Sequence, residues 1–182
     1  MPPFYTRSGD DGTTGILGQG RLPKHHPRFE TVGSLDEASA ALGLARASCL
    51  DRQTADLLAE AQRDLYLLMA EVSSTPENAA RFPGPPPERI EWLEARLQEL
   101  EAQVELPREF ILPGDSAAGA ALSLARTIVR RAERRLAEWI DSGGNAGPVS
   151  LQYLNRLSSL LFVLELWENK AAGKTTSRAR QA

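Results

Sequence analysis

Apolar side chains recur every three or four residues over most of this 182-residue chain, and no segment alternates with the period of two that a half-buried strand requires. That spacing lines the side chains along one face of a helix. Five such segments with short connectors predict an all-α fold, an antiparallel five-helix bundle with an ordered N-terminal loop. The four clearest stripes are Leu57, Ala61, Leu65, Leu68 and Val72; Ile90, Leu93, Leu97, Leu100 and Val104; Ala125, Val129, Ala132, Leu136 and Ile140; and Leu151, Leu154, Leu157, Leu161 and Leu164.

Capping residues and helix breakers predict where the helices begin and end. The run Ser34-Leu35-Asp36-Glu37 has the form of a capping box, so we expect the first helix to begin at Ser34 and to end near residue 50. Pro148 suits the first turn of the fifth helix. The remaining helices are expected from about 53 to 73, directly after the proline-rich loop at 83–87, and from Asp115 or Ser116 to Gly143-Gly144.

The two ends of the chain differ from its helical middle. Residues 1–30 are rich in glycine and proline and are expected to form an ordered loop, with Tyr5 and Ile16-Leu17 as apolar anchors. Residues 171–182 are small, polar and basic and contain no acid, which predicts a disordered tail. The expected organisation is therefore one helical domain over residues 1–170, followed by a disordered basic tail over residues 171–182.

Charge and cysteine content narrow the class of protein. The formal net charge of −3 argues against general affinity for nucleic acid or for an anionic membrane. Residues 1–5 lack the apolar core of a signal peptide, and the apolar runs are shorter than the ~18–20 residues of a membrane span. Cys49 is the only cysteine, so no internal disulfide can form, and we expect a reducing compartment, the cytoplasm.

The N-terminal loop is the first candidate ligand site. Ser8-Gly9-Asp10-Asp11-Gly12-Thr13-Thr14-Gly15 combines glycines, whose backbone N–H groups can converge on an anion, with several hydroxyl donors. Arg7, Arg21 and Lys24 add positive charge. The Walker pattern and the G-x-G-x-x-G pattern are both absent, so a phosphate site here would be of another type. The alternative is a polar N-terminus without a fixed structure.

An arginine-rich helix is the second candidate. Five of the ten residues in 126–135 are arginine and none is lysine. Arg126, Arg130 and Glu133 share one helix face because they are spaced i, i+4 and i+7. Arginine is favoured where planar, bidentate contact with phosphate is needed. The alternative is an ordinary solvated charged face.

Two further segments carry polar side chains that could take part in a site. Asn155, Ser159 and Phe162 lie on one face of an otherwise leucine-rich helix, which alone does not separate a site from internal hydrogen bonding. His25 and His26 are adjacent in one loop, and the sequence has no third histidine to complete a metal site or a catalytic dyad on a helix. A histidine-based metal centre or nucleophile is therefore not expected.

Four motifs in order resemble the PduO-type ATP:cob(I)alamin adenosyltransferases. They are residues 5–14 (Tyr-Thr-Arg-Ser-Gly-Asp-Asp-Gly-Thr-Thr), residues 33–37 (Gly-Ser-Leu-Asp-Glu), residues 126–134 with their arginines and Glu133, and residues 153–158 (Tyr-Leu-Asn-Arg-Leu-Ser). The resemblance extends from about residue 5 to 168. It implies a five-helix bundle that forms a homotrimer, with active sites between subunits, and an enzyme that transfers the 5′-deoxyadenosyl group of ATP to the cobalt of cob(I)alamin and releases triphosphate.

The same resemblance implies a role for individual residues. Asp36 is expected to pair with Arg126 across the subunit boundary near the corrin, and Phe110 and Phe162 are expected on the cobalamin side, Phe110 against the lower face of the corrin. Glu133 is expected to act through Mg²⁺, and a reductase and a cobalamin-dependent enzyme are further expected partners. The residues expected to bind ATP are Thr6, Arg7, Ser8, Gly9, Asp10, Asp11, Gly12, Thr13, Thr14, Lys24, Arg130, Arg131, Glu133, Arg134 and Asn155, with Arg126, Arg130 and Asp36 as the catalytic set.

Three serines and a histidine pair depart from the pattern of the family. Serine stands at 39, 123 and 159, where the family usually has asparagine, histidine and aspartate, and His25-His26 replaces a more acidic pair. These departures favour a second hypothesis, a relative that binds ATP or adenosylcobalamin as a carrier or sensor with little turnover. The loop and the arginine helix match the family and favour the enzyme.

Overall fold

The structure, a computed structural model, describes residue 5 and residues 7–180. These residues form a mostly helical chain with five α-helices: α1 (Pro27–Ser48), α2 (Arg52–Ser73), α3 (Glu88–Glu101), α4 (Ala117–Asp141) and α5 (Pro148–Ala171). A short 3-10 helix (Pro76–Arg81) lies in the segment expected to be a loop. None of the helices in the described ranges is both long and apolar enough to cross a bilayer.

Helix α1 begins at Pro27, so the expected start at Ser34 is wrong. The His26 side chain caps this helix: its Nδ1 accepts a hydrogen bond from the Arg28 backbone N–H at 3.2 Å, and proline follows at the first helical position. Ser34 lies inside the helix, where its hydroxyl donates to the Glu30 carbonyl at 2.8 Å. A serine inside a helix can donate in this way to a carbonyl of the preceding turn, and its side chain then does not cap a helix N-terminus.

The other long helices begin close to the expected residues. The Asp51 carboxylate accepts from the backbone N–H of Gln53 and Thr54 ahead of α2, and the Ser116 hydroxyl accepts from Gly119 ahead of α4. Helix α5 begins at Pro148, as expected. These caps satisfy N–H groups that have no partner within the helix.

Two short strands correct the expectation of a chain without strands. Strand β1 (Thr13–Gly15) pairs antiparallel with β2 (Arg21–Pro23), and Thr14 lies opposite Leu22. Each strand has three residues, which is too short to show a period of two in the sequence. The strands belong to the N-terminal loop and fix its shape.

The helices pack in a defined order of neighbours. Helix α1 packs against α2 and α4, α4 packs against α5, and α5 packs against α3. The predicted stripes of α2, α4 and α5 are buried, except that Leu57, Ile140 and Leu151 are only half-buried. In α3 only Leu93 is fully buried, because that helix packs mainly on α5 at the edge of the structure.

A buried ionic network ties α2, α3 and α5 together. Asp64 is buried and accepts from the Arg89 guanidinium, with Nε–Oδ2 at 2.9 Å and a terminal nitrogen to Oδ2 at 2.7 Å. The Tyr153 hydroxyl donates to the same Oδ2 at 2.7 Å. Burial, and after it the charge of Asp64, raises the pKa of Tyr153 well above its ordinary value, so the phenol stays protonated and remains a donor.

The tail differs from the expected disordered segment over its described residues. The Leu112 N–H donates to the Ser177 carbonyl at 2.9 Å, and the Ala179 N–H donates to the Phe110 carbonyl at 2.8 Å. The Ser177 hydroxyl and N–H both donate to Asp115, and these bonds lower the pKa of the Asp115 carboxyl. Small polar side chains let the tail run beside the connector between α3 and α4.

Candidate functional site

The N-terminal loop is held in shape by its own side chains. Both the N–H and the hydroxyl of Thr13 donate to Asp11 Oδ1, at 2.9 and 2.8 Å, and these bonds lower the pKa of the Asp11 carboxyl. The Arg21 guanidinium donates to the Thr13 hydroxyl at 2.9 Å and to the Ser8 carbonyl. Asp11 and Arg21 therefore serve to close the loop. Sequence reasoning missed this role of Arg21, although its place in a strand opposite Gly15 explains it.

A lysine lies at the centre of this loop. The Lys24 N–H donates to the Gly12 carbonyl at 2.9 Å, and a Cβ added at Gly9 would lie 3.3 Å from Lys24 Nζ. Gly12 has φ of +80°, a conformation that glycine adopts without strain. The loop thus places an ammonium group next to Gly9, and positive charge beside a glycine-rich segment is suited to an anion.

The loop is attached to the bundle at the end of α2. The Leu17 N–H donates to the Ser73 carbonyl at 2.8 Å, and the Thr75 N–H donates to the Leu17 carbonyl at 3.1 Å. Tyr5, expected as an apolar anchor, is 63% exposed and has the Arg7 guanidinium over its ring, so that expectation is wrong. Thr6 lies outside the described residues.

The arginines of α4 divide between two sides of the helix. Arg131 pairs with Glu37 of α1, and Arg135 pairs with Glu138 at 2.8 Å. Arg130 is exposed, and Arg134 donates to its carbonyl at 3.0 Å, so these two follow one another along the same face. The structure therefore separates Arg131 from Arg126, Arg130 and Arg134, with which sequence reasoning grouped it.

A chain of polar contacts joins Glu133 to α5 and α3. Asn155 Nδ2 donates to Glu133 Oε1 at 2.9 Å, while Asn155 Oδ1 accepts from Arg156 at 2.9 Å. Arg156 Nε in turn donates to Glu94 of α3 at 2.8 Å. Two predicted nucleotide residues, Glu133 and Asn155, are thus in direct contact. The supporting pair of Arg156 and Glu94 was not found from the sequence, because Glu94 is one of many charged residues on α3.

A cleft of about 420 Å³ runs between α4, α5 and the connector that follows α3. Arg126, Arg130, Ser159 and Phe162 line it, and Pro107 forms part of its wall. We call it the arginine cleft. The arginine cleft brings together residues that belong to separate sequence motifs. No sequence pattern indicated that the connector at Pro107 would also line it.

An adjoining hollow of about 320 Å³ shares Arg126 and Phe162 with the arginine cleft and is lined also by Phe110. Phe110 is 88% exposed and so is not part of the apolar core of this chain. A larger groove, of about 530 Å³, lies between α2 and α3, but no residue of the predicted site lines it. The predicted site residues therefore do not lie in the largest of these three hollows.

Other predicted residues lie apart from the cleft. Asp36 is exposed on α1, and no ion pair joins it to Arg126 within the described chain. His26 caps α1 and packs edge-on against Trp139, with ring centroids 5.8 Å apart. The described residues contain no group of three histidine, cysteine or acidic side chains that could hold a metal ion.

The two basic surfaces lie on different parts of one chain. The hydrogen bonds that anchor the loop reach the end of α2, whereas the arginine cleft lies on α4 and α5. Helix α1 packs against both α2 and α4 and so stands between these parts of the bundle.

The fold and these surfaces define a helical protein suited to a phosphate-bearing ligand. The sequence matches the family model for cobalamin adenosyltransferase over residues 4–168. The chain therefore belongs to the cobalamin adenosyltransferase family.

Individual relatives agree with this assignment. The chain is 40% identical over 174 residues to the corrinoid adenosyltransferase PduO of Salmonella typhimurium, a match that covers 93% of this chain and 50% of that protein. It is 42% identical over 170 residues to the corrinoid adenosyltransferase of Mycobacterium bovis, which covers 88% of this chain and 86% of that protein. It thus spans half the length of the Salmonella relative, as it does for PduO of Citrobacter freundii.

A solved structure has the same fold. It is a variant PduO-type ATP:corrinoid adenosyltransferase from Lactobacillus reuteri, complexed with cobalamin and ATP. The TM-score is 0.88 at 28% sequence identity, and the match covers 98% of this chain and 97% of that chain.

Proposed function

We propose that this chain transfers the 5′-deoxyadenosyl group of ATP to the cobalt of cob(I)alamin, giving adenosylcobalamin and triphosphate. The observation that carries the proposal is the pair of basic surfaces, a lysine-bearing loop and an arginine cleft, in a chain of this family. The relatives named above are corrinoid adenosyltransferases, and the Lactobacillus structure holds both ATP and cobalamin.

The proposed reaction suits a site without a catalytic histidine. Cob(I)alamin is itself a strong nucleophile, so its attack on C5′ of ATP needs no general base. The protein has to align the reactants and stabilise the charge that grows on the triphosphate as the C5′–O bond breaks. Arginine and lysine side chains serve that purpose through charge-assisted hydrogen bonds to phosphate oxygens.

The nucleotide would be held by two copies of the chain. The loop residues Arg7–Thr14 and Lys24 of one copy would wrap the triphosphate, and Arg130 and Arg134 of α4 in the other would meet it from the cleft. Glu133 and Asn155, already in contact at 2.9 Å, would form the next part of the site. Thr6 is included among the loop residues because of the family resemblance. Arg131 is given a more distant role in binding the triphosphate, because its guanidinium is already paired with Glu37.

Mg²⁺ is proposed as the ion that accompanies the triphosphate. A magnesium site in a nucleotide enzyme commonly uses one or two carboxylates together with phosphate oxygens and water. Glu133 is half-buried beside Arg130 and Arg134 and fits that limited role, which needs no cluster of protein ligands. The ion would neutralise charge on the triphosphate, while the arginines bind and orient it.

The cobalamin would enter on the other side of the arginine cleft. Phe162 and Arg126 line both the cleft and the Phe110 hollow, so a corrin seated there would lie next to the proposed nucleotide site. The exposed Phe110 ring would pack on the lower face of the corrin and keep water and the lower ligand from cobalt. A reductase would supply electrons for Co(II), and a cobalamin-dependent enzyme would take the product.

Phe110→Ala should harm one route to the product more than the other. Turnover from cob(II)alamin with an electron-donating flavoprotein should fall about tenfold more than turnover from chemically prepared cob(I)alamin, because an aromatic contact on the corrin is lost. The melting temperature should stay close to that of the parent, since the ring is exposed. Leu112→Ala in the same exposed connector is the control. Equal loss in both routes would contradict this role.

The proposed assembly is a homotrimer of antiparallel five-helix bundles in the cytoplasm. Asp36 is exposed and unpaired with Arg126 within the described chain, which leaves both available for a pair across subunits. Helix α1 packs against α4 through its buried alanines, so the exposed faces of these two helices, with Asp36 among them, can form one wall of the interface. The proposed cytoplasmic location rests on cysteine usage. Cys49 is the one cysteine of the sequence, and burial raises the pKa of its side chain to about 12, so it remains a thiol.

The turnover assay tests the proposed function directly. ATP and chemically reduced cob(I)alamin are mixed with the protein under anaerobic conditions, and adenosylcobalamin and triphosphate are both measured. Equal amounts of the two products, formed over many turnovers, are expected. Tight binding of ATP or adenosylcobalamin without turnover would favour the carrier or sensor instead, which the serines at 39, 123 and 159 would then explain.

A further inference from the structure

An unpartnered carboxyl group lies beneath the arginine cleft. Glu165 of α5 is 1% exposed, and neither of its carboxyl oxygens has a hydrogen-bond partner among the described residues. A buried polar group without a partner is costly and needs an explanation. Glu168, one turn further along the same helix, is equally buried, but its carboxylate accepts from the backbone N–H of Leu50 and Asp51. Burial alone therefore does not explain Glu165.

The pairing of α4 and α5 places Glu165 next to the cleft. Asn155 of α5 meets Glu133 of α4 near one end, and Asn169 of α5 meets Ser116 near the other, so the two helices run in opposite directions. Between these contacts, Glu165 lies one helical turn from Phe162. Ser123 and Arg126 of α4, likewise one turn apart, lie close enough to Glu165 to affect its pKa.

Arg126 has the matching unsatisfied group. Its Nε is buried and has no hydrogen-bond acceptor within the described residues, although the side chain as a whole lines both the arginine cleft and the Phe110 hollow. A guanidinium held at Nε from behind still presents its terminal nitrogens to the cleft. An orphaned donor and an orphaned acceptor thus lie on facing turns of α4 and α5.

The groups around Glu165 affect the pKa of its carboxyl, and the charge of Arg126 favours the ionised form that could pair with it. Burial raises the pKa of the Glu165 carboxyl, and the charge of Asp115 raises it further. Two groups oppose that rise: the Ser123 hydroxyl, which acts on the carboxyl as a weak donor without the geometry of a normal hydrogen bond, and the charge of Arg126, which favours the ionised form. Ser123 is buried and small, which leaves room for the Glu165 side chain between the two helices.

We propose that Glu165 is a positioning residue for Arg126: its carboxylate accepts from Arg126 Nε when a corrin occupies the Phe110 hollow, and so fixes the direction of the guanidinium. The contact rests on the cobalamin binding proposed above but not on turnover, whereas the effect on catalysis rests on the proposed adenosyl transfer as well. Glu165 touches neither ATP nor the corrin in this scheme. It acts only through the side chain that does.

Chemical modification tests the contact without any assay of activity. The parent protein with cob(II)alamin bound is treated with phenylglyoxal, and the modification rates of Arg126 and Arg130 are compared by peptide mass spectrometry. In Glu165→Ala the rate at Arg126 relative to Arg130 should rise about tenfold, which corresponds to the loss of one charge-assisted hydrogen bond. Glu168 is also a buried carboxylate on α5, so the control substitution Glu168→Gln should leave the ratio unchanged. An unchanged ratio in Glu165→Ala would overturn the proposal.

Kinetics then connect the contact to the reaction. Glu165→Ala should raise the KM for cobalamin about tenfold and leave the KM for ATP within about twofold, whereas a general loss of structure would change both. In an Arg126→Ala background the same change should add almost nothing, because the partner is already absent. Glu165→Gln, which keeps an acceptor oxygen and the side-chain volume, should restore most of the lost affinity. Independent, multiplicative effects of the two alanine variants would contradict the inference.

If the parent protein shows no turnover, the proposed function fails, but the modification ratio still decides the contact. If the parent turns over and the ratio does not change, the contact fails and the function stands. Removing an unpaired buried carboxylate should not lower the melting temperature, so the variants are expected to remain folded.

Discussion

Arg130→Ala should lower kcat/KM for ATP about 10–100-fold while the melting temperature changes little. Arg130 lies exposed on the cleft face of α4, and no carboxylate of the described chain is paired with it, so its charge remains available for a phosphate group. The loss of one charge-assisted hydrogen bond costs about 1.5–3 kcal/mol, which gives this range of rate.

Arg135→Ala is the matched control for this change. It removes the same side chain from the same helix, but the Arg135 guanidinium is paired with Glu138 at 2.8 Å on the surface. We expect a change of less than about twofold in kcat/KM, since an exposed pair of this kind contributes little. Steady-state kinetics at saturating cob(I)alamin measure both variants. Similar losses in the two would show that the α4 charge acts only in a general way, and would contradict a specific role of Arg130.

Asp64→Ala should have the largest effect on stability. The change removes the one carboxylate that joins Arg89 of α3 to Tyr153 of α5, and it leaves a buried hydroxyl and a largely buried guanidinium without their acceptor. Breaking a buried ion pair in this way costs about 3–5 kcal/mol in the free energy of unfolding. The Tm should fall by roughly 10 °C for a chain of this size.

Asp56→Ala on the same helix provides the comparison. Asp56 is exposed and lies 3.9 Å from Arg52, so its loss should change the free energy of unfolding by less than about 0.5 kcal/mol. Thermal or denaturant unfolding is compared at equal protein concentration, because assembly would stabilise the folded chain by mass action. Equal stability of the two variants would mean that the Asp64 network does not hold α3 on the bundle.

The helices could be predicted because their apolar stripes are long, and because Ser116 and Pro148 mark the starts of α4 and α5. Asp51 and Ser116 act as caps, and the apolar residues of α2, α4 and α5 are buried as expected. The start of α1 could not be predicted, because His26 is not among the favoured capping residues and Ser34 with Glu37 imitates a capping box in mid-helix. Three-residue strands likewise leave no periodic pattern.

The candidate site was predicted in its parts more than in its arrangement. Helical spacing alone placed Arg126, Arg130 and Glu133 on one face. It could not show that Glu37 pairs with Arg131, since that contact depends on how α1 packs on α4. Nor could it reveal the buried Glu165, which stands beside Phe162 in a helix where buried leucines dominate. These features depend on contacts between helices, which a local sequence pattern does not show.

The most direct test of the account is whether two defective chains restore activity together. Lys24→Ala removes the ammonium group of the loop, and Arg130→Ala removes a guanidinium of the cleft, so each variant alone should have little activity. In trimers assembled from equal amounts of the two, half of the interfaces receive an intact loop, and half of those meet an intact cleft, so roughly a quarter of the parental turnover should return. A mixture of Arg126→Ala with Arg130→Ala is the control, because every cleft then carries a defect, and it should stay inactive. Recovery to about a quarter with Lys24→Ala and none in the control is the result we predict; a mixture no more active than the mean of its two components would contradict a site completed by a second copy of the chain.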